Sequence, residues 1–106
     1  MGKFKAAFMF VSPDCDPKEH IVRLSTPERL NGTAVGFKDY DQAVFVAKEL
    51  ADQGFEAIEL CGGFGHIGVA RVAEAVEGRA VAGVVRFDHH PGMGHKSGDE
   101  FFLKGD

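Results

Sequence analysis

The chain has 106 residues, of which 44% are hydrophobic and 26% charged, and these values are ordinary for one soluble globular domain. They exclude a collagen-like repeat, a coiled coil and an intrinsically disordered chain. The 12 Lys and Arg residues against 16 Asp and Glu residues give a formal net charge of −4, without the basic surplus of a nucleic-acid-binding protein. We therefore expect a single α/β domain over residues 1–106 that binds no nucleic acid.

Cysteine usage and the shortness of the apolar runs indicate where the protein resides. Cys15 and Cys61 are too few for a disulfide framework, which favours reduced thiols and a cytoplasmic protein. The apolar run at residues 6–11 is too short to cross a membrane. We expect a cytoplasmic protein that has no membrane partner.

The first predicted strand is Phe4–Val11, which has apolar residues on both of its faces. Alternation places Phe8 and Phe10 on one face and Met9 and Val11 on the other. A strand that is apolar on both faces is typical of a central strand covered twice. Residues 12–17, with two prolines and two acids, are predicted to form a loop.

Two interpretations are open for the next segment. Residues 21–25 and 33–37 are weaker strand candidates, and Thr26-Pro27 and Asn31-Gly32 bracket the connection between them, which favours an antiparallel hairpin near residues 21–37. Asp16-Pro17 favours instead a short helix that runs into His20.

Two helices and two strands are predicted in the second half of the chain. Apolar spacing over residues 40–51 predicts a helix with Asp39 as its N-cap, Gln42 at the third helical position and Gly54 at its end. A second helix covers residues 69–76, and strands are predicted at 55–60 and 80–87. This alternation indicates right-handed crossovers and a mostly parallel sheet of four or five strands with helices on its faces.

A glycine-rich turn separates the strand at 55–60 from the second helix. Its segment at 63–68, GFGHIG, matches the dinucleotide-binding pattern G-x-G-x-x-G, and Asp88 lies at the end of the next strand. Glycines let a backbone approach a phosphate, and the helix N-terminus favours negative charge. We expect Gly63 and Gly65 to bind an anion. The competing interpretation is a tight turn whose glycines permit close packing, because the chain lacks the second half of a nucleotide-binding fold.

A second polar group follows the last predicted strand. Arg86, Asp88 and His90 share one face if that strand stays extended to residue 90. A carboxylate beside an imidazole can orient it as a base or support a metal site. Further ligands for a zinc or iron ion would be His66, His95 and Cys61. The competing interpretation is a salt-bridged corner, so the metal and any cofactor stay unknown.

Glu59 is unusual because it lies inside an apolar strand, between Ile58 and Leu60. A buried carboxylate costs several kcal/mol unless it is paired or protonated. Arg86, on a neighbouring strand, is the expected ion-pair partner. The alternative is a general acid or base with a raised pKa.

Three segments carry a resemblance to a known family: IELCGGFG at 58–65, VRFDHHPG at 85–92 and KAAFMFV at 5–11. The chain resembles a family of small bacterial proteins classified as a domain of unknown function. The resemblance covers nearly the whole chain and implies a small α/β protein of this length. It implies no activity, cofactor or catalytic residue.

The function hypothesis concerns the carboxyl edge of the sheet, where open α/β sheets bind ligands. We expect a small anionic metabolite to bind there, held by Gly63, Gly65 and Arg86. Whether the protein is an enzyme is left open, and its candidate catalytic residues are His66, Asp88, His90 and Glu59. The alternative is a non-catalytic small-molecule-binding protein or a structural subunit of an oligomer.

Three expectations concern assembly and the site's geometry. Two helices can hardly cover both faces of the sheet, so we expect a homodimer or higher homo-oligomer. The apolar residues 101–103 should dock on the domain or on a neighbouring subunit. His66 and Asp88 should line one pocket, because the strands that precede them are parallel neighbours.

Overall fold

The computed structural model describes residues 2–103, which contain five strands, two long helices and two short helical segments. In chain order the elements are β1 (Phe4–Val11), β2 (Ile21–Ser25), β3 (Leu30–Phe37), α1 (Tyr40–Asp52), β4 (Ala57–Leu60), α2 (His66–Ala75), β5 (Val81–Val84), a 3₁₀ turn (Pro91–Met93) and α3 (Asp99–Phe102).

The strands form one sheet in the order β2-β3-β1-β4-β5, with β1 in the middle. β1 is parallel to β3 and to β4, and β4 is parallel to β5. β2 is the exception, since it pairs with β3 in the antiparallel direction. The predicted α/β fold with a mostly parallel sheet is therefore confirmed, and so is the hairpin near residues 21–37.

The hairpin turns earlier than predicted. Thr26 Oγ1 accepts a hydrogen bond from the amide of Leu30 at 2.8 Å, which closes the turn. Asn31 and Gly32, predicted to lie in the connection, belong to β3, because they pair with β1 on one side and β2 on the other. Pairing on both sides outweighs the local turn preference of Asn-Gly. Residues 17–19 form a turn, so the alternative of a short helix before His20 is wrong.

The predicted capping of α1 is confirmed. Asp39 Oδ1 accepts a hydrogen bond from the amide of Gln42 at 2.9 Å, and Gln42 Oε1 accepts one from the amide of Lys38 at 2.9 Å. The first bond satisfies an amide that a helix start leaves free, and the second ties Gln42 to the residue before the N-cap. Gly54 follows the helix with a φ of +93°, a conformation that glycine adopts without strain.

Both long helices pack on one face of the sheet. Ala47 and Leu50 of α1 and Val72 of α2 share a single buried core with Met9 and Ile58 from the central strands. The crossovers from β3 to β4 and from β4 to β5 progress in the same direction along the sheet. Because such crossovers are right-handed, they leave both helices on the same side.

The opposite face of the sheet, here called the open face, faces solvent except at Gly36, which Cys15 and His20 cover. Phe4 and Phe10 are 47% and 45% exposed, so the prediction that β1 is covered on both faces is wrong. Strand alternation and pairing register place on the open face the side chains of Phe4, Ala6, Phe8, Phe10, Val22, Leu24, Leu30, Ala34, Ala57, Glu59 and Val81.

The last strand is shorter than the predicted 80–87. β5 ends at Val84, and the amide of Val85 makes the final bond of the ladder, to the carbonyl of Leu60. β4 ends at Leu60, and the described residues offer β5 no other neighbouring strand beyond that point. Residues 85–89 are therefore in a loop.

Residues 101–103 were predicted to dock on the domain, and one of the three, Phe102, does so on the helix side of the sheet. Phe102 of α3 is 5% exposed, and its ring lies 5.7 Å from that of Tyr40. Phe101 and Leu103 stay substantially exposed. Within residues 2–103, no helix combines the length and the apolar character needed to cross a membrane.

Candidate functional site

The N-terminus of α2, where we predicted an anion, is capped by a carboxylate of the chain itself. Asp99 Oδ2 accepts a hydrogen bond from the amide of Ile67 at 3.0 Å, and Asp99 Oδ1 accepts one from the amide of Gly68 at 3.2 Å. Gly65, at the N-cap position, provides no side-chain cap. Free amides and the helix dipole favour a negative group here. Asp99 thus takes the position that an external anion would take in the predicted site.

Tyr40 completes this hydrogen-bond network. Its hydroxyl donates to Asp99 Oδ1 at 2.9 Å and accepts from the amide of Gly65 at 3.0 Å. The ring is fully buried and stacks on Phe64, with 5.5 Å between the ring centroids. Burial raises the pKa of Tyr40 well above its ordinary value, so the hydroxyl remains a proton donor at neutral pH.

The glycines near this network permit the chain to approach itself closely. A Cβ atom at Gly98 would lie 1.7 Å from the carbonyl oxygen of Gly63, and one at Gly65 would lie 2.4 Å from the carboxyl carbon of Asp99. These contacts support the interpretation of the turn as a packing feature. The sequence pattern missed Asp99 because it lies 31 positions after Gly68 and has no local signature.

His66, Arg86 and Asp88 lie together on the surface at the start of α2. Arg86 Nε donates to Asp88 Oδ1 at 2.6 Å, and Arg86 Nη2 also contacts His66 Nε2. His66 Nε2 and Asp88 Oδ1 are 3.9 Å apart. The hydrogen bond from Arg86 is the main cause that lowers the pKa of Asp88, so this carboxylate is charged at neutral pH.

This cluster is open to solvent. The exposed fractions of the side chains are 67% for His66, 60% for Asp88 and 48% for Arg86. Solvent screens such pairs, so the cluster contributes little to stability. Its charged groups are also engaged with one another, which leaves Arg86 less free to hold an external anion.

The two other candidate catalytic residues do not join the cluster. Glu59 lies on the open face, beside Phe8 in the register, and is exposed. The prediction that it is buried and paired with Arg86 is wrong, because no helix in residues 2–103 covers that face. His90 caps the 3₁₀ turn, where its Nδ1 accepts a hydrogen bond from the amide of Gly92 at 3.0 Å. It shares no strand face with Arg86, because the strand ends earlier.

The hypothesis of a zinc or iron site receives no support from the geometry. In the part of the chain that the structure describes, no three His, Cys, Asp or Glu side chains are grouped so that they could hold a metal ion. Cys15 and Cys61 are free thiols. Burial is the largest cause that raises the pKa of Cys15, which favours its neutral form.

A cleft of ≈430 Å³ opens beyond the carboxyl ends of β1 and β4. Its volume is within the range of small-molecule sites. A recess of ≈470 Å³ elsewhere is bordered by residues 26–30 of a single turn, whereas several separate elements enclose the cleft. The lining residues of the cleft are Phe10, Val11, Ser12, Pro13, Cys61, Gly63, His90, Gly92, Met93, Phe101 and Phe102.

The cleft lies where the chain changes its direction of progress along the sheet. After β1 the chain moves toward the β2 edge, and after β4 it moves through α2 toward the β5 edge. In open α/β sheets, ligands bind in the crevice that forms between two such strand ends. The site predicted from the sequence lies at this same edge of the sheet but is centred on the glycine turn.

The sequence of residues 4–100 matches the model of a family described as a family of unknown function (DUF6506). The predicted resemblance to such a family is thereby confirmed. No curated protein and no solved structure matches the chain.

Proposed function

We propose that this chain, which belongs to the DUF6506 family of unknown function, is a small-molecule-binding protein whose ligand occupies the cleft between the ends of β1 and β4. The observation that carries the proposal is the position of the cleft at the change of direction in the sheet. Ligand sites of open α/β sheets occur at this position because neighbouring connections diverge there and leave a crevice.

The lining indicates what kind of molecule the cleft accommodates. Phe10, Met93 and Phe102 provide apolar walls, while Ser12 and His90 provide hydrogen-bonding groups. A few polar groups in a mostly apolar cleft are typical of sites for compact organic molecules. The ligand expected here has an apolar body and one polar end, such as a hydroxyl or a carboxylate.

An inorganic anion such as phosphate is a weaker candidate than the sequence suggested. The amides at the start of α2 donate to Asp99, and Arg86 contacts Asp88 and His66. An anion would have to displace the chain's own carboxylates from these groups. A small carboxylate that is held mainly through its apolar body remains compatible with the proposal.

The hydrogen bonds of the polar residues in the cleft favour a protein that binds its ligand without catalysing a reaction. The Ser12 hydroxyl donates to Asp14 at 2.7 Å, and Cys61 Sγ accepts from the amide of Gly63 at 3.3 Å. His90 Nδ1 is engaged with its own turn. The hydrogen bond from Ser12 lowers the pKa of Asp14, which makes this carboxylate a weak base for nucleophilic catalysis.

The test uses benzyl alcohol, benzoate and inorganic phosphate as probes. We expect both aromatic probes to shift the backbone amide NMR signals of Gly63 and Met93, and phosphate to leave them unchanged. Ser12→Leu should weaken binding of the aromatic probes at least about tenfold, because it removes a polar group and fills the cleft. Ser25→Leu, far from the cleft on β2, is the matched control and should bind like the wild type.

Two results would contradict the proposal. One is that neither aromatic probe shifts the signals of the cleft residues at millimolar concentration. The other is that phosphate shifts the amide signals of Ile67 and Gly68, which would show that an external anion replaces Asp99 at the start of α2.

A further inference from the structure

The open face carries a large apolar surface. Val22, Leu24 and Val81 on it are 68%, 64% and 74% exposed, and Phe4 and Phe10 are nearly half exposed. Glu59 is the charged side chain that the register places on this face among the described residues of the strands. Monomeric soluble proteins rarely expose contiguous apolar patches of more than a few hundred Å². This face therefore has the character of an interaction surface.

The surface of the open face has a ridge next to a groove. Phe8 and Phe10 form the ridge on β1, with their rings in an edge-on contact at 4.8 Å. On the neighbouring strand β3, Gly32 and Ala34 have small side chains, and a groove of ≈230 Å³ lies over them between Phe8 and Leu24, with Glu59 also at its border. The groove stops before Gly36, because the side chains of Cys15 and His20 cover that residue. A ridge and a groove on adjacent strands make the surface complementary to a copy of itself.

We propose that the open face binds the open face of a second copy of this chain, with the Phe8 ring of each copy in the β3 groove of the other, opposite Ala34. A twofold axis that is parallel to the strands and passes between β1 and β3 generates this arrangement. Such an interface uses the same patch on both subunits. The two sheets would pack about 10 Å apart with their strands within about 30° of each other, as in β-sandwiches.

The area of the face is compatible with a stable dimer. From a rise of about 3.3 Å per residue and a strand spacing of about 4.8 Å, the sheet has a flat footprint of about 450 Å². Projecting side chains raise the accessible area above this footprint. The footprint alone is just over half of the area of about 800 Å² that each partner buries in a standard interface, and the projecting side chains add to it.

The position of Glu59 is also compatible with this arrangement. β4 lies on the far side of β1 from the axis, so it would face β2 of the other copy, at the rim. The two Glu59 carboxylates would be about three strand spacings apart laterally, or about 14 Å. That distance exceeds the Debye length of about 8 Å in physiological salt, so their repulsion would be screened.

The test measures the mass of the full chain by sedimentation equilibrium over a range of micromolar concentrations. We expect the wild type to sediment at twice the monomer mass of 11.4 kDa. Leu24→Glu should weaken the dimer at least about tenfold, because it puts a charge in the interface. Phe45→Glu is the matched control: Phe45 is 62% exposed on α1, and this change should leave the dimer intact.

Ala34→Phe distinguishes the fit of the ridge into the groove from non-specific hydrophobic association. It adds apolar surface but fills the groove, so we expect weaker dimerisation. Circular dichroism spectra and melting curves establish that each variant is folded, and both sites lie outside the proposed ligand cleft. The proposal is overturned if the wild type stays monomeric at about 100 micromolar, the highest concentration in the sedimentation experiment. It is equally overturned by a dimer that Leu24→Glu does not weaken, or by one that Ala34→Phe strengthens.

Discussion

Tyr40 and Asp99 are 59 positions apart in the sequence, yet their side chains share a hydrogen bond of 2.9 Å. Tyr40 is the first residue of α1, and Asp99 is the first residue of α3. Both also bond to amides at the start of α2. This network joins three helices and holds in place the segment whose Phe101 and Phe102 form one wall of the proposed ligand cleft.

Removing the carboxylate at residue 99 should destabilise the fold. Asp99→Ala leaves two amides of α2 and the Tyr40 hydroxyl without their partner, and loss of an N-cap alone costs about 0.5–2 kcal/mol. We expect the free energy of unfolding, measured in urea, to fall by about 2 kcal/mol. Glu77→Ala, at an exposed turn, is the control and should change it by less than about 0.5 kcal/mol. Equal effects of the two changes would contradict the capping role of Asp99.

Tyr40 should make the stability depend on pH in alkaline solution. Burial raises its pKa in the folded chain, whereas the unfolded chain keeps the ordinary value of about 10. The stabilisation is therefore fully present below pH of about 10 and is lost as the pH rises through the folded pKa, because the unfolded chain releases the proton first.

This titration can be measured directly, since the chain contains one tyrosine. Tyrosinate absorbance should rise at a higher pH for the folded protein than for the protein in denaturant. In Tyr40→Phe, which keeps the aromatic ring, the alkaline fall in unfolding free energy should be shallower than in the wild type. Coincident absorbance titrations of the folded and denatured protein would contradict the burial of this hydroxyl.

The elements that local sequence determines could be predicted. The start of α1 depends on Asp39 and Gln42, which are three positions apart, and its end depends on Gly54. β1 could be placed within its bounds because eight consecutive residues carry its apolar pattern. Parallel pairing then followed from the alternation of strands and helices, because a helical crossover joins parallel strands.

The features that depend on distant contacts could not be predicted. Nothing near Asp99 in the sequence shows that it caps a helix that begins 33 positions earlier. Glu59 illustrates a second limit, because its apolar neighbours Ile58 and Leu60 indicated a buried strand. Both neighbours are fully buried, but on the helix side, and only the sheet's one-sided helix packing shows that Glu59 faces solvent.

The surface cluster at the start of α2 gives a further prediction. Arg86→Gln should raise the pKa of Asp88 toward its ordinary value, because the hydrogen bond from Arg86 is the main cause that lowers it. The stabilising effect of that shift is present above the unfolded pKa of about 3.9 and is lost as the pH falls through the folded pKa. Carboxyl carbon NMR measures the titration of Asp88. Arg79→Gln, which breaks a surface pair with Asp52 elsewhere, should leave the Asp88 titration unchanged.

The last prediction concerns the close approach between Gly98 and the glycine turn. Gly98→Ala would put a Cβ atom 1.7 Å from the carbonyl oxygen of Gly63, and two backbones would have to separate to admit it. Overpacking of this kind costs about 1–3 kcal/mol, and we expect the free energy of unfolding to fall by at least that amount. Gly83→Ala is the matched control, because its Cβ would meet no atom within 4 Å. This change should have little effect on the free energy of unfolding.

Gly98→Ala and Asp99→Ala together test what holds the segment that begins at Gly98. If the close approach of Gly98 and the Asp99 cap hold one segment, Gly98→Ala and Asp99→Ala should be less than additive when combined, because either change alone detaches it. Urea denaturation of the two single variants and the double variant measures this coupling. Fully additive losses, or a Gly98→Ala variant as stable as Gly83→Ala, would contradict the close packing of the glycine turn on the C-terminal segment.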